Sequence, residues 1–156
     1  MKPLHIFPAF IMFVLSGCVV GEEPVLLIRP TVELSAHVKD EKIVATALIS
    51  ANPDILTAGN IPVIYRFSGE MDIHNTVNGS IIDYNAFSGG GLSQVYTVSA
   101  DTATHERFIV IAFGSIEAYA DIASDGEVSN DPLLASGDFY KEALYIVSEL
   151  AGIPQQ

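Results

Sequence analysis

The chain has 156 residues and carries 19 Asp and Glu side chains against 7 Lys and Arg, so its formal net charge at pH 7 is −12. This charge disfavours nucleic acid and bare anionic lipid as partners, because both attract Lys and Arg. The single cysteine excludes a disulfide within the chain, and the length suits one domain with its own core.

Residues 1–17 combine one lysine, Lys2, with a short apolar run over residues 6–15 that only Pro8 interrupts. A membrane-spanning helix needs about 20 apolar residues, so this run is too short for a permanent span. A positively charged N-terminal region, a short apolar segment and small residues at the end of that segment are typical of a cleaved secretory signal. The sequence therefore predicts a signal peptide over residues 1–17 and an exported protein.

The cysteine closes the motif Leu15-Ser16-Gly17-Cys18, which resembles the lipobox of bacterial lipoproteins. The resemblance implies cleavage between Gly17 and Cys18, a diacylglycerol on the Cys18 thiol, and an acyl chain such as palmitate on the new amino group. One acyl chain binds a membrane reversibly, whereas two or three hold a protein there durably. Position 19 is valine and not aspartate. By the sorting pattern of Gram-negative lipoproteins, this implies that the protein is anchored in the outer membrane if the source is Gram-negative.

Residues 18–30 are predicted to be the lipidated cysteine and a flexible tether. The apolar residues 25–28 of this tether lie between Pro24 and Pro30. Because proline removes a donor from a ladder of backbone hydrogen bonds, this stretch is either an edge strand or an apolar part of the linker.

Strands are predicted throughout residues 31–122. Apolar and polar residues alternate there with the period of two that indicates a strand with one buried face. Glycine, proline and asparagine signals separate the segments. The predicted strands are 31–39, 43–49, 61–67, 92–99, 107–113 and 116–122, with a loop over 51–60, an irregular stretch over 70–91 and a turn at Gly114-Ser115. Short strands between turn signals predict an all-β sandwich.

Three of these segments resemble bacterial Ig-like domains of the invasin and intimin type. They are Ile61-Pro62-Val63 to Phe67-Ser68-Gly69, the glycine-led strand from Gly91, and Phe108 to Ala120. The resemblance covers residues 31–122. It implies an Ig-like β-sandwich that binds a protein or glycan, as adhesion-type domains do.

Residues 123–156 are predicted to be an acidic loop and a short amphipathic helix. Asp138 is a favourable N-cap for this helix, and Gly152 and Pro154 end its pattern. One face of the helix collects apolar side chains, namely Phe139, Ala143, Ile146, Val147 and Leu150. Amphipathic helices usually bury such a face against their own domain, but this one could instead dock a partner.

Three histidines follow the predicted cleavage site, and none of them forms a recognisable catalytic motif. His37 lies on the outward face of its hairpin. His105 begins a sequence like that of zinc proteases, but Ile109 stands where the second histidine belongs. Asp72 and His74 could share one face of a strand, yet two ligands make no metal site, so both are predicted to be surface residues.

The acidic loop raises the question of calcium binding. Aligned as an EF-hand loop from Asp121, it has Ala123 at position three and Pro132 at position twelve, so the bidentate carboxylate is missing. A looser calcium site is an alternative to a merely solvated acidic loop. Its ligands would be Asp125, Glu127 and Asp131.

Neither a catalytic nucleophile nor a cofactor site is predicted. Residues 89–91 are glycines that precede a strand, whereas a dinucleotide fingerprint opens a helix, so they indicate a turn that needs positive φ. The sequence lacks a Gly-x-Ser-x-Gly elbow, and Cys18 is assigned to lipid. The resulting expectation is a non-enzymatic, lipid-anchored binding domain without a cofactor. The alternatives are a structural accessory lipoprotein that docks through its C-terminal helix and, ranked last, an enzyme whose site is scattered over loops.

Overall fold

The computed structural model describes residues 27–53, 57–58, 61–102 and 106–151. The signal segment, the lipobox with Cys18, and His105 lie outside these residues. The elements in chain order are β1 (Thr31–Lys39), β2 (Lys42–Ser50), β3 (Thr57–Ala58), β4 (Ile61–Asn75), β5 (Ile81–Gly90), β6 (Ser93–Asp101), β7 (Arg107–Ala120), β8 (Leu133–Ile146) and α1 (Val147–Leu150). The predicted all-β class with a short C-terminal helix is confirmed.

Two antiparallel sheets form the domain. The smaller sheet has the order β1-β2-β6. The larger sheet has the order β3-β4-β7-β8, with β5 paired to β4 beyond the short β3. The sheets meet along both edges, because β1 contacts β8 and β5 contacts β6. The predicted β-sandwich is therefore confirmed.

The core lies between the two sheets and follows from the alternation of the strands. Every second residue of β2, β4 and β7 faces inward, so each strand buries one row of apolar side chains between the sheets. The largest fully buried side chains belong to Phe67, Phe108, Ile43, Ile49, Met71, Ile73, Ile116 and Val110. Both sheets contribute to one continuous apolar cluster.

The predicted hairpin over residues 31–49 is confirmed in its turn as well as its strands. Lys39 pairs with Lys42, so the connection is the two-residue loop Asp40-Glu41. Both loop residues have positive φ, at 50° and 61°. This is the backbone of a type I′ turn, whose twist matches that of the strands it joins.

The predicted turn at Gly114-Ser115 is wrong, because β7 runs through it without a break. Gly114 pairs with Gly69 of β4, and we call these two residues the glycine pair. Phe87 of β5 pairs with Gly69, and Phe139 of β8 pairs with Gly114. The two phenyl rings lie over the glycines and stack on each other, with centroids 6.2 Å apart. Glycine here makes room for rings from neighbouring strands rather than turning the chain.

The Phe87 ring also links the two sheets. Tyr96 of β6 stacks on it with ring centroids 4.0 Å apart and an interplanar angle of 12°. Tyr96, Phe87 and Phe139 therefore form one aromatic row across the sandwich. Such stacking adds about 0.5–1.5 kcal/mol per pair beyond the apolar area that it buries.

Most of the predicted C-terminal helix is a strand. Residues 138–146 belong to β8, and only Val147–Leu150 are helical. The helical spacing of the apolar residues is real, but β7 offers a long unpaired edge to which residues 133–146 pair nearly throughout. Helix propensity is a weak preference that such pairing overrides. Phe139 is buried by the strand, as the helix prediction also required.

The last residues of the predicted tether are part of the domain. Ile28 is buried in the core cluster, and the Arg29 N–H donates to the Ala51 carbonyl at 3.0 Å. The Asn52 side-chain amide donates to the Arg29 carbonyl and to Thr31 Oγ1. Ile28 and Arg29 therefore pack and bond with the strands that follow them.

Candidate functional site

The larger sheet turns one face away from the smaller sheet, and we call this the outer face. It follows from strand alternation, because residues paired across an antiparallel ladder point to the same side. At its centre the outer face carries Glu70, Asp72 and His74 of β4, Tyr84 of β5, Ile109, Ile111 and Phe113 of β7, and Tyr140, Glu142 and Leu144 of β8.

The outer face exposes large apolar and aromatic side chains. Tyr140 is 63% exposed, Tyr84 61% and Leu144 57%, and Phe113 lies between the β4 and β8 rows. Isolated exposed apolar residues are ordinary on protein surfaces, whereas a contiguous apolar area rimmed by polar groups marks an interaction site. On the outer face the exposed apolar side chains are neighbours on adjacent strands, with Glu70, Asp72, His74 and Glu142 among them.

The Tyr140 ring is held in place by its own strand. Its hydroxyl donates to Glu142 Oε2 at 2.8 Å. This hydrogen bond, together with some burial and the nearby negative charge, raises the pKa of Tyr140 above its ordinary value. The ring is therefore a neutral, oriented aromatic surface at any physiological pH.

A line of three ionisable side chains crosses this apolar surface along β4. Glu70, Asp72 and His74 stand at successive outward positions. Asp72 is only 5% exposed although it faces outward, because its cross-strand neighbours Tyr84 and Ile111 are bulkier. The expectation that Asp72 and His74 are ordinary surface residues is therefore wrong for Asp72, which is buried. The side chains of Asp72 and His74 lie close to each other.

The imidazole of His74 is oriented by two contacts. Its Nδ1 lies 3.1 Å from the Gly79 carbonyl oxygen, which can only accept, so Nδ1 carries the hydrogen. Its Nε2 lies 3.4 Å from Asp72 Oδ2. Asp72 Oδ1 and His74 Nε2 are both buried, and neither has a hydrogen-bond partner among the described residues.

Glu70 completes the line on the other side of Asp72. A hydrogen bond with Asp72, helped by some desolvation and by the negative charge of Asp72, raises the pKa of Glu70. The three side chains therefore form a line along β4 in which His74 and Asp72 are in contact.

A second acidic cluster lies in the loop after β7. Carboxylate oxygens of Asp121, Asp125 and Asp131 lie within 4.8 Å of one another. The sequence predicted Asp125 and Asp131 as partners, and the structure brings them together, but with Asp121 rather than with Glu127. Much of this cluster has a structural role: Asp121 accepts the N–H groups of Asp125 and Gly126, and Asp131 accepts that of Ile122.

Replacing Asp121 with alanine should therefore loosen this loop. Two backbone N–H groups would lose their acceptor, and the expected cost is about 1–3 kcal/mol of unfolding free energy in urea melts. Glu127→Ala, at an exposed position of the same loop, should change stability by less than about 0.5 kcal/mol. Equal stability of the Asp121→Ala variant and the parent would contradict this role.

The same melts in millimolar calcium test the calcium hypothesis, which an unchanged midpoint removes.

Comparisons with known proteins leave the family open. No family model matches the chain, and no curated protein matches it significantly. Among solved structures it is similar to the X-ray structure of Northeast Structural Genomics Consortium target SoR45, with 12% identity over 82% of this chain and 91% of that chain. The TM-score is 0.33, so this likeness carries no argument about fold or function.

The described part of the chain contains no helix with the length and apolar character of a membrane span.

Proposed function

We propose that this protein is a lipid-anchored, non-enzymatic binding protein of the bacterial envelope, whose β-sandwich binds a protein partner on its outer face. Cys18 carries the lipid in this proposal, and the lipobox resemblance supports that assignment. The exposed aromatic and apolar side chains of the outer face are the observation that carries the binding role. An Ig-like, adhesion-type classification is compatible with the two antiparallel sheets.

The charge of the outer face indicates what kind of surface the partner presents. Glu70, Asp72 and Glu142 lie among its apolar side chains, and the whole chain is acidic. Interfaces match apolar centres with apolar centres and opposite potentials with each other. The partner is therefore a protein surface that combines apolar side chains with Lys or Arg.

The alternative function was an accessory lipoprotein that docks through the C-terminal helix. The helix has four residues, and its Val147 and Leu150 pack against the core of the domain. It offers little free apolar surface for a partner, so the outer face is the better-supported docking element.

Photo-crosslinking from the outer face tests the proposal. A photoreactive amino acid at position 140, in the full chain expressed in its native envelope, should give a discrete protein adduct. The same probe at Val95 should not, although Val95 is 60% exposed, because it lies on the outer side of the smaller sheet.

Charge reversal sharpens this experiment. Glu142→Lys should weaken the adduct from position 140, because a basic partner surface would then meet a like charge. Lys141→Glu lies one residue away on the opposite side of β8 and should leave the adduct unchanged. Equal crosslinking from positions 140 and 95 would show that the outer face is not the docking surface.

A further inference from the structure

We propose that Asn78 is a site of spontaneous deamidation, through which the connection between β4 and β5 acquires a negative charge. This connection contains Asn78-Gly79-Ser80, and all three residues are exposed to solvent. The inference does not rest on the proposed function, because the conversion is measured on the isolated chain.

The reaction is an intramolecular attack on the Asn78 side chain. The backbone nitrogen of Gly79 loses its proton and bonds to the Asn78 Cγ, and the bond from Cγ to the amide nitrogen breaks. Ammonia leaves with that proton, and a cyclic imide remains. Water then opens the imide. Breaking the new bond at Cγ gives aspartate, whereas breaking the bond at the backbone carbonyl carbon gives isoaspartate. Because the reacting groups belong to neighbouring residues, no bimolecular encounter is needed.

The Asn78 side chain is folded back along the peptide unit that attacks it. Its Oδ1 accepts the Ser80 N–H at 3.0 Å, which closes an Asx turn around Gly79. A backbone N–H can only donate, so the atom that faces it is the oxygen of the Asn78 amide and not the nitrogen. This contact therefore holds the carbonyl group of the side chain close to the Gly79 nitrogen.

Two donors polarise the carbonyl group that is attacked. Besides the Ser80 N–H, the Ser80 hydroxyl donates to Asn78 Oδ1 at 2.8 Å. When the Gly79 nitrogen adds to Cγ, negative charge develops on this oxygen. Hydrogen bonds to a charged acceptor are stronger than those to a neutral one. Both contacts therefore stabilise the tetrahedral intermediate more than they stabilise the starting amide.

Gly79 leaves room for the attack. It has no Cβ, and nothing lies within 4 Å of the position that a Cβ would take. Its N–H donates to the Asn75 carbonyl oxygen at 2.9 Å, so this hydrogen bond must open before the nitrogen can react. Such opening is a local event at the exposed end of a hairpin, where Val77 is 90% exposed.

Two other asparagines of the chain provide internal controls. Asn52 precedes Pro53, whose nitrogen has no hydrogen to lose. Asn85 precedes Ala86 within β5, and its side-chain amide donates to the Thr97 carbonyl oxygen of β6 at 3.1 Å. This contact directs the Asn85 side chain toward the neighbouring sheet and away from its own peptide unit.

Conversion at Asn78 would also reach the outer face. The Gly79 carbonyl oxygen lies 3.1 Å from Nδ1 of His74. Isoaspartate adds a methylene group to the backbone just before Gly79, so this contact should be displaced. Aspartate adds the charge without lengthening the backbone.

Incubation of the purified full chain in mildly alkaline buffer for several weeks, followed by proteolysis and mass spectrometry, tests the site. We expect Asn78 to gain the mass that separates an acid from an amide and to yield both aspartate and isoaspartate. Asn52 and Asn85 should remain amides. A side chain that is still an amide at Asn78, or that converts no faster than Asn85, overturns the proposal.

Two variants test the parts assigned to the neighbouring residues. Gly79→Ala should slow the conversion of Asn78 several-fold, because the added Cβ obstructs the nitrogen. Ser80→Ala removes the hydroxyl donor and should slow it about 2- to 10-fold, the rate equivalent of one hydrogen bond. Thermal melts check that both variants fold. Equal rates in Ser80→Ala and the parent would overturn the activation of Asn78 by the Ser80 hydroxyl.

Discussion

Gly114→Ala is expected to destabilise the sandwich by about 3 kcal/mol, near the upper end of the cost of overpacking a core. A Cβ atom at this position would lie 2.2 Å from the Ser68 carbonyl oxygen and 2.6 Å from the Gly69 Cα. Both atoms belong to the backbone of β4, so neither can move aside without opening the ladder. The Phe139 ring, 2.8 Å away, closes the remaining space. Urea-induced unfolding measures the loss.

The matched control is Gly79→Ala in the turn between β4 and β5. Gly79 has a φ of +70°, and nothing lies within 4 Å of the position that a Cβ would take. Its replacement should cost only the strain of the left-handed backbone, about 1 kcal/mol. An equal loss of unfolding free energy in the two variants would show that close packing around the glycine pair is not the cause of the cost at Gly114.

Cys18→Ser is expected to release the protein from the membrane fraction. Each buried methylene group contributes about 0.8 kcal/mol to membrane affinity, so losing two or three acyl chains removes nearly all of it. Serine keeps the size of the side chain but not the thiol that the lipidation chemistry of lipoproteins uses. Fractionation of cells followed by mass measurement of the mature chain checks both the location and the lipid.

Ser16→Ala serves as the control for this experiment. It replaces one small residue of the motif with another, so processing and membrane attachment should persist. A Cys18→Ser protein that still pelleted with membranes would contradict the anchor, whatever the behaviour of Ser16→Ala.

The parts of the fold that could be predicted are those whose signal is local. The hairpin of β1 and β2 alternates strictly, and Asp40-Glu41 interrupts that alternation where the turn occurs. The glycines at 89–91 were expected at a turn; Gly91 has a φ of +101° between β5 and β6, whereas Gly89 and Gly90 belong to β5. In both cases the residues that specify the conformation are the residues that adopt it.

The errors concern residues whose conformation depends on distant partners. β8 has the apolar spacing of a helix, but β7 pairs with it and decides the outcome. Gly114 has the local character of a turn, yet its partner Gly69 and the covering rings keep it within a strand. The stretch over residues 70–91 looked irregular because its outward side chains mix charge with aromatic rings.

The outer face could not be predicted from the sequence for a related reason. Parity along β4 places Asp72 and His74 on one side, and the sequence predicted that much. The burial of Asp72 depends on Tyr84 and Ile111, which belong to two other strands. Tyr140 was assigned to a helix, so its place beside Phe113 could not be predicted.

The packing of residues 28–30 against the domain limits how far the domain could stand from a bilayer. With Cys18 acylated, the tether would be the segment from Cys18 to Ile28, and the fully extended length of this segment is at most ~35 Å. It leaves the domain at the end where β1 begins, opposite the Asp40-Glu41 turn. The end of the domain where β1 begins would then stay within ~35 Å of the bilayer, so the outer face would meet partners that lie near the same membrane.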